Sequence, residues 1–84
     1  MSDDLKDLPN IGKVLAGRLR AAGVTSPAHL MRLGDAAAFR KIRHDLPEDA
    51  CTHTRLALAG AVRGVRWHSL EADLRARLKE EAHA

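Results

Sequence analysis

The sequence predicts an all-α protein, a compact single domain of about five to six short helices. Apolar residues make up 45% of the chain and are mostly Leu, Ala and Val, with one Trp and one Phe. That composition suits helices packed through small side chains. Strand formers nowhere alternate with polar residues over more than a few positions. A length of 84 residues sets one domain near the lower limit for a self-sufficient core. The domain is expected to span 1–84, with its core over about 5–80.

Residues 3–9 are expected to form a short first helix, with Ser2 or Asp3 as N-cap and Leu5 and Leu8 facing inward. Pro9 ends it, because a residue before proline is pushed out of the helical region. A second helix is expected from near Gly12 to Ala22. There Val14, Leu15 and Leu19, with the small Ala16 and Ala22, recur at helical spacing, while Lys13, Arg18 and Arg20 lie largely off that stripe. Gly23 is the residue type that follows a helix C-terminus. Ser26-Pro27 supplies a hydroxyl cap and then proline at the first helical position of a third helix. Leu30, Met31 and Leu33 form its apolar face, and Gly34 stops it.

Asp35 is expected to cap a fourth helix, Ala36 to about Arg43, turning Phe39 and Ile42 inward. Asp45 and Pro47 announce a fifth, about 47–65, carrying Cys51, Leu58, Val62 and Val65 on one face. Gly60 and Gly64 inside it each cost about 1 kcal/mol relative to alanine, which predicts either the close approach of another helix or an early end of this one near Gly60. Ser69 is expected to cap the last helix, with Leu70, Leu74 and Leu78 on one stripe. Glu71–Arg75 and Asp73–Arg77 stand at i,i+4, and Glu80 to Ala84 are expected to fray.

The stretch from Leu8 to Ala16 organises the rest. Asn10 and Gly12 flank Ile11, and both residue types tolerate the left-handed backbone of a tight turn. Ala16 follows Gly12 by one helical turn. These features resemble the helix-hairpin-helix motif, in which such a turn opens the second helix and holds a nucleic-acid phosphate. The candidate phosphate-binding residues are Asn10, Ile11, Gly12, Lys13, Val14, Arg18 and Arg20. The chemistry is that of free N–H groups at a helix start, backed by the positive end of the helix dipole and by neighbouring cations. Asn10 departs from the usual glycine and is expected to bring a side chain close to any phosphate. Val14 and Leu15 stand where polar or basic residues are common.

Charge favours the same region. The net charge is +3. Residues 1–9 carry −2 (Lys6 against Asp3, Asp4 and Asp7), residues 10–43 carry +6 (seven basic side chains against Asp35), and residues 44–84 carry −1 (six basic against seven acidic). A positive field beginning at the turn suits a polyanion partner such as nucleic acid, and equally a solvated basic surface.

Other chemistries find little footing. The five histidines, His29, His44, His53, His68 and His83, include no i,i+4 pair, and the lone Cys51 diverges from His53 on a helix, so no metal is expected. No cofactor loop or nucleophile arrangement occurs, and the expectation is a non-enzymatic protein without cofactors or catalytic residues. Trp67 is expected at a bend, in a core or hinge role, with its indole N–H on a nearby carbonyl. A single cysteine, an acidic start and no apolar run long enough for a bilayer predict a cytoplasmic protein away from membranes.

Leu8-Pro9-Asn10-Ile11-Gly12, Gly23-Val24-Thr25-Ser26-Pro27, Leu33-Gly34, Leu56-Ala57-Leu58-Ala59-Gly60-Ala61 and Gly64-Val65-Arg66-Trp67-His68-Ser69-Leu70 together resemble the C-terminal domain of TfoX/Sxy proteins, regulators of DNA transformation in bacteria. The resemblance covers about residues 5–80, and Asn10 is typical of it. It implies a compact all-helical unit found either behind an N-terminal TfoX domain or alone, with no catalytic residue or cofactor. The expected function is a regulatory module of DNA transformation or transcription that contacts nucleic acid weakly through the hairpin. The alternative is a protein–protein (adaptor) or homodimerisation module using the Gly60/Gly64 face or the Leu70/Leu74/Leu78 stripe, with a degenerate hairpin that only packs two helices together.

Overall fold

Gly, Pro and Ser punctuate the chain at short intervals, and the computed structural model, which describes residues 4–84, breaks it into helices at those points. They are α1 (Lys13–Ala21), α2 (Pro27–Leu33), α3 (Asp35–Ile42), α4 (Cys51–Arg63) and α5 (Ala72–Ala82). Single 3₁₀ turns stand at Leu5–Asp7, Arg43–Asp45, Glu48–Ala50 and Trp67–Ser69. Helix, 3₁₀ turns included, accounts for 74% of the described residues, there is no strand among them, and the fold is all-α.

Local chemistry sets the helix ends. The Ser26 hydroxyl accepts the His29 N–H at 3.1 Å, with Pro27 at the first turn of α2. Gly23 (φ +91°) closes α1, placing the Val24 N–H on the Leu19 carbonyl at 2.8 Å and its own N–H on Arg20 at 2.9 Å. This paired closure satisfies carbonyls that a helix end leaves open and drives Val24 into the core.

The hub is α4. Its residues from Thr54 to Ala61 are all buried, several of them Ala or Gly, so neighbours approach its backbone closely. α3 and α5 both pack on it. The main core joins Leu5, Ile11, Leu19, Leu30, Phe39 and Leu58, and a second cluster fills the α4–α5 interface with Leu56, Leu70 and Leu78. Arg55 is buried to 4% exposure, its guanidinium held by Asp35 at 2.6 Å and Glu81 at 3.2 Å and set 6.0 Å from the Phe39 ring centre.

Several sequence expectations are corrected. The first helix is only the turn Leu5–Asp7, and its cap is Asp4, whose carboxylate accepts the Lys6 N–H at 3.0 Å. Ser2 and Asp3 lie outside the described residues. Asp35 does not cap α3: Gly34 holds that position, and Asp35 is drawn to Arg55. The segment 48–50 is a separate 3₁₀ turn, and α4 ends at Arg63 because Gly64 (φ +73°) turns left-handed. The nearest approach to Gly60 comes from the Asn10 side chain and the backbone of Val65 and Trp67 and not from a packed α-helix.

At the last helix, Ser69 closes a 3₁₀ turn and α5 begins at Ala72. Its end does not fray before Ala82, because that side chain is fully buried in the main core. Among the described residues the two i,i+4 pairs form no ion pair, and Arg75 instead donates to the His68 carbonyl at 3.1 Å. No described helix is long and apolar enough to cross a membrane.

Candidate nucleic-acid interface

The site begins with a backbone choice. Of the two turn residues, Asn10 alone is left-handed (φ +69°), while Gly12 is extended (φ −97°, ψ −172°). Asparagine is among the few side-chain-bearing residues that tolerate that region. Its amide is turned away from the turn and toward the end of α4. Asn10 Nδ2 donates to the Val65 carbonyl at 2.9 Å, with a longer contact of 3.4 Å to Ala57, and Oδ1 accepts the Trp67 backbone N–H at 3.0 Å. Gly60 makes room for this arrangement: a Cβ there would lie 2.5 Å from Asn10 Nδ2 and 2.6 Å from the Val65 carbonyl oxygen. The expectation that Asn10 would crowd a phosphate is therefore corrected, because its side chain is held elsewhere.

Gly12 stands at the N-cap of α1 with no side-chain acceptor. The first intrahelical bond is Ala16 N–H to Gly12 carbonyl at 3.0 Å, which leaves the N–H groups of Lys13, Val14 and Leu15 at the helix mouth without a protein acceptor among the described residues. A Cβ on Gly12 would meet nothing within 4 Å, so the N-cap position itself is uncrowded.

These donors border a cleft of 380 Å³. One wall is Asn10, Gly12, Lys13, Val14, Leu15 and Arg18; the other is Leu46, Pro47, Ala50, His53, Thr54 and Ala57. Val14 is 71% exposed on this side. Arg18 is anchored at the rim, donating to the Asp45 carbonyl at 2.6 Å.

Five of the seven candidate residues, Asn10, Gly12, Lys13, Val14 and Arg18, thus share one cleft. Ile11 lies beneath it in the core. Arg20 stands apart, paired with Asp4 at 2.9 Å. The Asp4 carboxyl is held below the ordinary aspartate range, first by the Lys6 backbone N–H and then by the charges of Lys6 and Arg20. The basic segment is also divided, since Arg40 and Arg43 line a different cleft of 250 Å³ beside Phe39 and Glu81.

His53 and the Leu46–Pro47 wall escaped the sequence reading, because they reach α1 only through the return of α4. Trp67 is half-buried, its ring edge-on to His53 at 5.7 Å and to His68 at 4.8 Å. Its bond to the turn runs through the backbone N–H, and no carbonyl among the described residues takes the indole N–H. Of the residues expected to face a protein partner, Leu70 and Leu78 are buried against α4 and Asn10 covers Gly60, whereas Gly64 is exposed and Leu74 half-buried.

The Leu-Pro-Asn-Ile-Gly and Gly-Val-Arg-Trp segments are therefore two sides of one contact, the Asn10 clamp. A model of the TfoX C-terminal domain matches residues 1–82. The chain belongs to that family. Among curated proteins, this TfoX C-terminal domain is 31% identical over 67 residues to the DNA transformation protein TfoX1 of Aliivibrio fischeri, a match that takes in 80% of this chain and 32% of that protein. The chain thus spans about a third of that relative's length. Two crystal structures of Listeria monocytogenes proteins of unknown function share the fold. One, in a triclinic form, is 41% identical with a TM-score of 0.81, covering 89% of this chain and 84% of that one. The other, in a tetragonal form, is 38% identical with a TM-score of 0.84, covering 93% of this chain and 95% of that one.

Proposed function

We propose that this TfoX C-terminal domain is a non-enzymatic, cytoplasmic regulatory module of DNA transformation or transcription that contacts nucleic-acid phosphate without reading sequence. The contact lies at the start of α1, through the N–H groups of Lys13, Val14 and Leu15, which have no acceptor among the described residues, and the Lys13 ammonium. The observation that carries this reading is the direction of Asn10: its amide is committed to Val65 and Trp67, which leaves the uncapped helix start clear beside Lys13. A helix N-terminus with unbonded donors favours a phosphate oxygen, and such contacts position a protein on nucleic acid without sequence information. The relative named a DNA transformation protein supports the setting.

Arg18 adds charge at the cleft rim, whereas the charge of Arg20 is answered by Asp4. Anisotropy of a labelled mixed-sequence duplex at low salt tests the proposal. Lys13→Ala weakens binding and lowers the slope of log affinity against log salt by about 0.9, while Arg20→Ala leaves both nearly unchanged. No binding at low salt, or wild-type binding by Lys13→Ala, defeats the reading.

A further inference from the structure

A duplex backbone uses the rim of this site but has no use for its floor. Behind the helix mouth lies an apolar surface made by Val14, Leu15, Leu46, Pro47 and Ala50, within the 380 Å³ cleft. That volume falls in the range of small-ligand sites, about 300–1,000 Å³. Val14 is the exceptional residue, leaving most of its side chain exposed directly beside the phosphate donors.

We infer that the cleft between α1 and the Leu46–His53 wall seats one unpaired nucleotide, with its base on the apolar floor and its phosphate on the α1 N-terminus and Lys13. This rests on the phosphate reading above and narrows it from nucleic acid in general to an unstacked strand or end. The N–H groups at the start of α1 and the Lys13 cation belong to residues that line the cleft, and the two non-bridging oxygens of a backbone phosphate can accept from more than one of them at once. The remainder is apolar and suits the flat face of a base. Bases within a duplex keep their faces stacked, so only a splayed or single-stranded nucleotide offers both parts together. An acidic peptide would match the charge but spread its carboxylates along the chain, and Lys13 and the engaged Arg18 are the cations lining this cleft.

The test compares a short labelled oligothymidylate, a duplex of equal length and free thymidine monophosphate, using the wild-type chain and a Val14→Lys variant. Val14 is exposed, so the substitution leaves the core untouched. The variant opposes two effects, adding a cation while removing the apolar seat. Wild-type protein is expected to bind the single strand about tenfold tighter than the duplex, and Val14→Lys to erase that preference while holding or raising duplex affinity. The signal of the single tryptophan, Trp67, is expected to change with the oligothymidylate, because the His53 ring that touches it lines the cleft.

Saturation by thymidine monophosphate at the same affinity would assign the seat to a free nucleotide instead of a strand. Equal binding of strand and duplex, both strengthened by Val14→Lys, overturns the inference and leaves phosphate contact standing. Binding of neither removes both. Val14-dependent binding of an acidic Leu-containing peptide, with none of oligothymidylate, makes the cleft a peptide site and overturns the inference.

Discussion

Asn10 accepts the backbone N–H of Trp67 at 3.0 Å across 57 residues of chain, and the same amide donates to Val65. One side chain thus ties the opening turn of the domain to the turn that follows α4. It does so from a left-handed backbone position, so conformation and hydrogen bonding are separable by substitution. Asn10→Gly keeps the backbone and removes both bonds, and is expected to cost about 1–3 kcal/mol. Asn10→Ala adds the left-handed penalty of about 1 kcal/mol. Urea denaturation of the two variants checks the order; an Asn10→Gly loss below about 0.5 kcal/mol shows that the clamp contributes little.

Two helical glycines are expected to respond to alanine with opposite signs. Gly17 lies within α1, and an added Cβ meets nothing within 4 Å, so Gly17→Ala stabilises by about 0.5–1 kcal/mol. Gly60 gains the same propensity but drives its Cβ against Asn10 and the Val65 carbonyl, and Gly60→Ala is expected to lose about 1–3 kcal/mol net. Paired thermal melts test this, and stabilisation by both substitutions would show that the turn at 65–67 yields easily.

The buried guanidinium of Arg55 makes Asp35 critical. Asp35 is 18% exposed and reaches Arg55 at 2.6 Å and Arg63 at 3.7 Å. Asp35→Ala leaves a buried cation with only the longer Glu81 contact, and is expected to cost about 3–5 kcal/mol. Glu81→Ala removes a half-exposed partner and is expected to cost about 0–1 kcal/mol. Chemical denaturation distinguishes the two. Similar losses for both would mean that Glu81 carries as much of the pairing as Asp35.

Stability is expected to fall at acid pH through Asp4. Its pKa is lowered in the folded chain, so its contribution is complete above the unfolded aspartate value and is lost as pH falls through the folded value. A carboxyl-detected NMR titration should place Asp4 below an ordinary aspartate. Arg20→Ala should shift it partway back, by less than loss of the Lys6 N–H bond would, because that bond is the larger cause. An Asp4 titration unchanged by Arg20→Ala would show that the ion pair does not persist in solution.

Much of the fold was legible along the chain. Ser26-Pro27 and Gly23 carry their structural roles in residue type alone, and the resemblance carried by Leu8–Gly12 and Gly64–Leu70 indicated the family to which the chain belongs. Less legible were the boundaries near residues 47–50 and 69–72, where Pro47 and Ser69 looked like helix starts. Each lies instead at a 3₁₀ turn, at the position before it (Pro47) or at its end (Ser69). Gly60 and Gly64 look alike in sequence, yet one is crowded by a distant side chain and the other closes a helix.

The sequence by itself determined the all-α class, the helix ends at glycine and capped serine, and the region where cations begin, because each depends on neighbours within a turn or two of helix. Only the tertiary structure decided where the Asn10 amide points, what covers Gly60, why Arg55 is buried, and which cations share a cleft. Those depend on groups 20 to 57 residues apart meeting across α4, and contacts of that range leave no periodic trace in the chain.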